Sequence, residues 1–122
     1  RLKKRFILAT LSNGNVALLV NMAKFSSLPW DTVLGAEVSR SFKPIPHTYL
    51  TTASMLGLAP EECMMVAAHN SDLQVASGLG FRTAFVCRPK EYGPTQRTDL
   101  EAEDDYDLIA NDFINLAEQL NC

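Results

Sequence analysis

The first apolar run covers residues 6–11 and stops at the polar turn Ser12-Asn13-Gly14. A short continuous apolar run of this kind predicts a buried strand. Val16, Leu19, Val20 and Ala23 then recur at helical spacing, with Ser12 or Asn13 placed to cap that helix. Residues 26–30 break the pattern at Pro29, and residues 32–36 predict a short, weak strand. Pro44 and Pro46 open the next helix, where a missing N–H costs nothing. Tyr49, Ala53 and Leu56 mark its buried face, and Gly57 is its predicted stop. A turn at Pro60-Glu61-Glu62 leads to a second buried strand at residues 64–68. His69-Asn70-Ser71 follows, then a short helix to Leu79 closed by Gly80. Residues 83–87 predict a strand, residues 88–105 a long polar loop, and residues 106–110 a last short strand. Phe113, Ala117 and Leu120 give a terminal amphipathic helix that Asp112 is placed to cap.

Strands alternating with helices predict an α/β fold with a mostly parallel sheet covered on both faces. The polar clusters then fall at the carboxyl ends of strands, where such folds hold ligands. A plain turn and a binding loop are both open readings of Ser12-Asn13-Gly14. The chain shows no repeat, and its 122 residues fit one domain, residues 1–122. No apolar stretch approaches the ~20 residues of a membrane span, and no signal peptide is visible.

Composition narrows the classes further. A formal net charge of −3 does not suggest a nucleic-acid binder. Charge is segregated nonetheless: residues 1–30 carry five cations and no acid, whereas residues 91–122 carry nine acids against Arg97. Both stretches read as solvated surface. Cys63, Cys87 and Cys122 are too widely spaced for a zinc site and too few for a disulfide framework. They read as small buried hydrophobes in a reducing cytoplasm. The chain opens on Arg1 and not on methionine, as expected of a processed product or a fragment.

Three clusters could carry chemistry. Ser12-Asn13, with helix N-terminal N–H groups, can hold an anion or simply cap a helix. Lys43-Pro44-x-Pro46-x-x-Tyr49 places a lysine just before a helix N-terminus, where the dipole disfavours a cation. An anionic partner explains such a lysine, and so does plain solvation; Tyr49 is either a pocket residue or core. Ala67-Ala68-His69-Asn70-Ser71-Asp72 sets a carboxylate in the first helical turn after a strand. Asp72 there can hold a lysine or a metal, or cap the helix.

The order and spacing of the pieces ILATLSNGN, SFKPIPHTYL, MMVAAHNSDLQVASGLGFRTAFVCRP and EYGP resemble the haloacid dehalogenase superfamily. Within it the chain is most similar to the type II, L-2-haloacid dehalogenases, over about residues 5–120. The resemblance implies a Rossmann-like three-layer core with a helical cap. It implies an aspartate nucleophile that displaces halide from C2 of a short 2-haloacid, followed by hydrolysis of the ester. Carried over by position, Lys43, Asp72 and Ser12 are the implied catalytic residues, and Asn13, Tyr49, His69 and Asn70 the implied substrate-binding ones. Ser12 and Asn13 would bind substrate carboxylate or nucleophile. Lys43 would balance the nucleophile's charge, Tyr49 would line the pocket, and Asp72 would hold Lys43 and position water. His69 stands where these enzymes commonly have asparagine.

The superfamily's phosphatases need Mg²⁺ held by oxygen ligands. Ala67 and Ala68 stand where the first acid of their metal pair would lie, so the residues favour a metal-free, cofactor-free carbon–halogen hydrolase over a Mg²⁺-dependent phosphatase. A non-catalytic fragment or partner-binding module is the alternative from another class. No acid precedes Asp31, so the nucleophile strand and the cap are expected to lie outside this chain. The expected partner is a small molecule, not nucleic acid or membrane. Homodimerisation or other self-association is expected of the chain alone, because buried strands would be left with open edges.

Overall fold

The computed structural model describes residues 1–122, which form two compact units. The first comprises residues 1–58 with Cys122, and the second residues 59–121.

In the first unit, three helices follow a 3₁₀ turn at Leu2–Lys4: α1 (Val16–Ser26), α2 (Ala36–Ser39) and α3 (Pro46–Met55). The strands predicted at residues 6–11 and 32–36 are not formed. The two segments run parallel but share one bridge, Ala9 with Thr32. Side chains take the other positions of the ladder. The Leu8 N–H donates to the Asp31 carboxylate at 2.8 Å, and the Thr10 hydroxyl accepts from Leu34 N–H at 2.8 Å while donating to Leu34 C=O at 3.0 Å. Such bonds compete with a regular ladder. Phe6 and Ile7 remain exposed. Asp31 is held below the usual carboxylate range, chiefly by the Leu8 N–H and then by Lys3 at 3.1 Å.

α1 begins where the periodicity placed it, but its cap is Asn15, whose side chain accepts from Leu18 N–H at 2.8 Å. Ser12 and Asn13 are used otherwise. α3 starts at Pro46 with Tyr49 and Ala53 buried, and Gly57 follows its end at φ 70°, a conformation glycine adopts without a Cβ penalty.

The second unit is a three-stranded parallel sheet with order β1 (Met64–Ala67), β2 (Arg82–Val86), β3 (Leu108–Ala110). α4 (Asn70–Gly78) packs on β1 and β2, and α5 (Phe113–Gln119) on β3. α4 is the crossover from β1 to β2, whereas β2 reaches its parallel neighbour β3 through a long loop. Leu73, Ala76, Ala84, Phe85 and Leu116 are fully buried, and the rings of Phe85 and Tyr106 stack 6.3 Å apart. Asp112 caps α5 as expected, accepting from Asn115 N–H at 2.7 Å. The three cysteines are half-buried thiols, less enclosed than the sequence suggested. Burial, and then Glu62, pushes the Cys63 thiol up.

β3 is set against β2 by Asp107. Its carboxylate accepts from Thr83 N–H at 2.8 Å and pairs with Arg82 at 3.1 Å. The Thr83 N–H is the first cause of its lowered pKa; desolvation opposes this and Arg82 adds to it. A carboxyl depressed on folding stabilises above its unfolded value of 3.8, and that contribution disappears as pH falls through the folded value. Asp107→Ala should therefore lower unfolding free energy by about 1 kcal/mol at neutral pH. In urea titrations at descending pH, its deficit should shrink below the carboxylate range; a deficit that grows there would contradict the assignment.

Candidate functional site

The turn at residues 12–15 is tied down from three sides. The Ser12 Oγ accepts from Gly14 N–H at 3.0 Å, which leaves the hydroxyl proton to donate. The Gly14 carbonyl accepts from Ala36 N–H at 3.1 Å. The Glu37 carboxylate accepts from Val16 N–H at 3.0 Å, supplying the anion that a helix start favours. Gly35 makes this approach possible: a Cβ there would lie 2.6 Å from the Gly14 carbonyl oxygen.

Asn13 reaches the second cluster. Its side-chain carbonyl accepts from Lys43 N–H at 2.6 Å, and its amide donates to Lys43 C=O at 3.2 Å. One amide side chain thus grips both polar groups of the Lys43 backbone, just before the cis Lys43–Pro44 peptide. Asn13 and Lys43, 30 residues apart, are brought together; the contact is to the backbone of Lys43 and not to a ligand. Tyr49 is fully buried within α3, beside the buried Thr48 and Thr52.

The third cluster lies in the second unit, at the carboxyl end of β1. His69 is the residue before α4, and Asp72 is buried in that helix's first turn. Asn70 lies between them in sequence but serves differently. It is 2 % exposed, and its amide donates to Asp99 and to Glu101 C=O, both at 3.0 Å. Its carbonyl accepts from Glu103 N–H and from the Tyr106 hydroxyl, both at 2.9 Å. These four bonds use the full capacity of the side chain, so nothing is left for a substrate. The substrate-binding role expected of Asn70 is replaced by a structural one. Burial, and then Asp104, Glu103 and Asp99, push the Tyr106 phenol up.

His69 has partners that its position alone did not disclose. Its Nε2 is 2.9 Å from the Glu91 carboxylate and 3.1 Å from the Tyr92 hydroxyl, and the Tyr92 ring stacks on the imidazole at 6.1 Å. Glu91 also pairs with Arg88 at 3.1 Å. The only sequence signal was the EYGP piece within the long loop, which carried no role by itself.

A Mg²⁺ takes octahedral oxygen coordination, usually from one or two carboxylates and several waters. Ala67 and Ala68 precede His69, Glu91 is committed to His69 and Arg88, and Asp99 to Asn70. No group of three or more His, Cys, Asp or Glu side chains is arranged to hold a metal ion.

Residues 42–116 match the HAD-hydrolase-like family model. The chain belongs to that family. Among curated members it is 36% identical over 92 residues to (S)-2-haloacid dehalogenase 4A of Burkholderia cepacia, covering 71% of this chain and 40% of that one. It is 33% identical over 82 residues to the (S)-2-haloacid dehalogenase of Xanthobacter autotrophicus, covering 66% of this chain and 32% of that one. Among solved structures, the L-2-haloacid dehalogenase PA0810 superposes with a TM-score of 0.96 at 50% identity, over 98% of this chain and 52% of that one. A HAD phosphatase from Thermococcus onnurineus, at 22% identity and TM-score 0.76, shares the fold. The chain spans about half the length, or less, of the relatives it matches. Membership of the HAD-hydrolase-like family accounts for the Rossmann-like α/β character of the parallel sheet. No helix is long and apolar enough to cross a membrane.

The grip of Asn13 on Lys43 is open to a direct check. Removing it in Asn13→Ala leaves the Lys43 N–H to water. A lost bond of about 1 kcal/mol corresponds to roughly fivefold faster amide exchange. Hydrogen exchange read by NMR should show that acceleration at Lys43; an unchanged Lys43 rate would show that the contact contributes nothing.

Proposed function

We propose that these 122 residues are the C-terminal portion of the core of a metal-independent hydrolase that removes halide from short 2-haloacids. The grip of Asn13 on Lys43 carries the reading: the turn at residues 12–15 presents the Ser12 hydroxyl while its neighbour fixes the backbone that bears the Lys43 side chain. A fixed cation and a fixed hydroxyl suit a reaction whose substrate, nucleophile and leaving group are all anionic. The names of the relatives support the same substrate class, and Ala67 and Ala68 support independence from metal.

The chemistry proceeds in two displacements. A carboxylate supplied by the longer protein attacks C2; the carbon–halogen pair leaves with the halide, and an ester forms. Water then adds to the ester carbonyl, and collapse releases the 2-hydroxy acid, regenerates the carboxylate and yields one proton. Covalent catalysis thus divides one hard step into two. Lys43 offsets the nucleophile's charge, the Ser12 hydroxyl donates to the substrate carboxylate, Tyr49 shapes the apolar wall, and Asp72 orients water. β1 is an edge strand here, so its outer edge is available to the strand that bears the nucleophile, or to a second copy of this chain. Three cysteines outside any disulfide suit a reducing cytoplasm.

The test is halide release from 2-chloropropionate by the full-length protein, with and without chelator. Release that is indifferent to chelator is expected; absence of release, or its loss with chelator, overturns the reading. Lys43→Met in that protein should lose about 10²–10³-fold in turnover with its circular dichroism unchanged, the range for removing one preorganised electrostatic partner. Near-wild-type turnover would make Lys43 ordinary surface.

A further inference from the structure

His69 is held by the loop that leaves the carboxyl end of β2, the same end of the parallel sheet as the carboxyl end of β1. Glu91 lies 22 residues away in sequence, yet its carboxylate is 2.9 Å from the His69 Nε2. The other Glu91 oxygen is fixed by Arg88, and the Glu91 side chain is only 19% exposed, so the carboxylate is not free to swing. Tyr92 adds a stacked ring and a hydroxyl at 3.1 Å from the same nitrogen. Two oxygens converging on one ring nitrogen assign its proton. A lone pair on Nε2 would face the carboxylate's own lone pairs, so Nε2 carries the hydrogen and donates it to Glu91. The neutral ring then has its lone pair on Nδ1, on the opposite edge.

We propose that Glu91 and Tyr92 are positioning residues that lock His69 in the Nε2–H tautomer and so make Nδ1 a proton acceptor at the carboxyl end of β1. The logic is general: a carboxylate bonded to one imidazole nitrogen orients the ring and stabilises the cation that forms when the other nitrogen takes a proton. Resting on the function proposed above, Nδ1 takes a proton from the water that hydrolyses the ester. The water's oxygen bonds to the ester carbonyl carbon, and His69 becomes imidazolium beside Glu91. Collapse of the adduct breaks the bond to the 2-hydroxy acid's oxygen, which receives that proton, and neutral His69 is restored. The first displacement moves no proton and does not need His69.

Two measurements separate this inference from the function it rests on. The first needs no turnover. The chain has two histidines, His47 and His69, so ring ¹⁵N shifts and long-range ¹H–¹⁵N couplings are assignable in the 122-residue chain. His69 should show the Nε2–H pattern, and Glu91→Ala should convert it to a tautomer mixture while His47 is unmoved. An Nδ1–H pattern, or no response to Glu91→Ala, overturns the positioning role. The second uses rapid quench of the full-length protein with 2-chloropropionate. His69→Ala should release one halide per enzyme at the wild-type rate and then stall, with the ester retained as a mass increment. Hydrolysis should slow by about 10²–10⁴-fold, the usual worth of a positioned base. Glu91→Ala should stall at the same step by a smaller factor. Steady turnover by His69→Ala at the wild-type rate overturns the proton-acceptor role. A wild-type protein that releases no halide fails the proposed function and takes that role with it, while the ring spectra still decide what Glu91 does.

Discussion

The buried amide of Asn70 is the constraint on which the second unit depends. A polar group taken out of water is destabilising unless every donor and acceptor is matched. Asn70 meets that condition only if Asp99, Glu101, Glu103 and Tyr106 all stand in place. Those four partners come from the connection between β2 and β3, a stretch too long to be ordered by turn chemistry alone. Asp99 adopts φ 55° and presents one carboxylate oxygen to both the backbone N–H and the side chain of Asn70. The loop's near half is held by the preceding residue, since Glu91 and Tyr92 close on His69. Gln96 joins the halves by accepting from Tyr92 N–H and donating to Arg88 and Thr98 carbonyls. Two consecutive residues at one strand end thus order both halves of the loop, one through a saturated amide and one through a ring that keeps a nitrogen available.

The first unit uses the same device with other residues. Asn13 grips the Lys43 backbone, Thr10 that of Leu34, and Glu37 that of Val16. Side chains stand in for backbone partners wherever segments meet without a ladder. That arrangement fixes the Lys43 backbone and holds the Ser12 hydroxyl oxygen through the Gly14 N–H. Supporting bonds of this kind, which fix the backbone around polar side chains, are expected of a preorganised site.

Much of the parallel α/β unit was legible because its signals are local. The apolar run before His69, the helix closed near Gly80 and the capping Asp112 all follow from patterning and end chemistry. The segment at residues 6–11 was misjudged for a physical reason: periodicity reports burial tendency, not the presence of a ladder, and Asp31 and Thr10 took the ladder's bonds. Asn15 displaced Ser12 and Asn13 as the helix cap because those two were already committed to Gly14 and Lys43. The candidate chemistry at Lys43, His69 and Asp72 was visible as residue types at strand and helix ends. What each neighbour does was not. Asn70 and Asn13 are both asparagines that follow apolar runs, and nothing in composition distinguishes a ligand-binding amide from one saturated by a distant loop. Glu91 and Tyr92 were invisible as partners because a 22-residue separation carries no periodic signal.

The central claim is that Asn70 is scaffold and that its saturated amide orders the connection from β2 to β3. Urea unfolding of Asn70→Ala, with amide exchange followed across residues 98–106, tests it most directly. The buried Tyr106 hydroxyl would lose its side-chain partner, at ~1–3 kcal/mol for a shielded group, and three part-buried bonds would be lost with it. The account predicts a loss of at least about 2 kcal/mol and collapse of protection at Glu103 N–H. Unchanged stability with Glu103 still protected would contradict it.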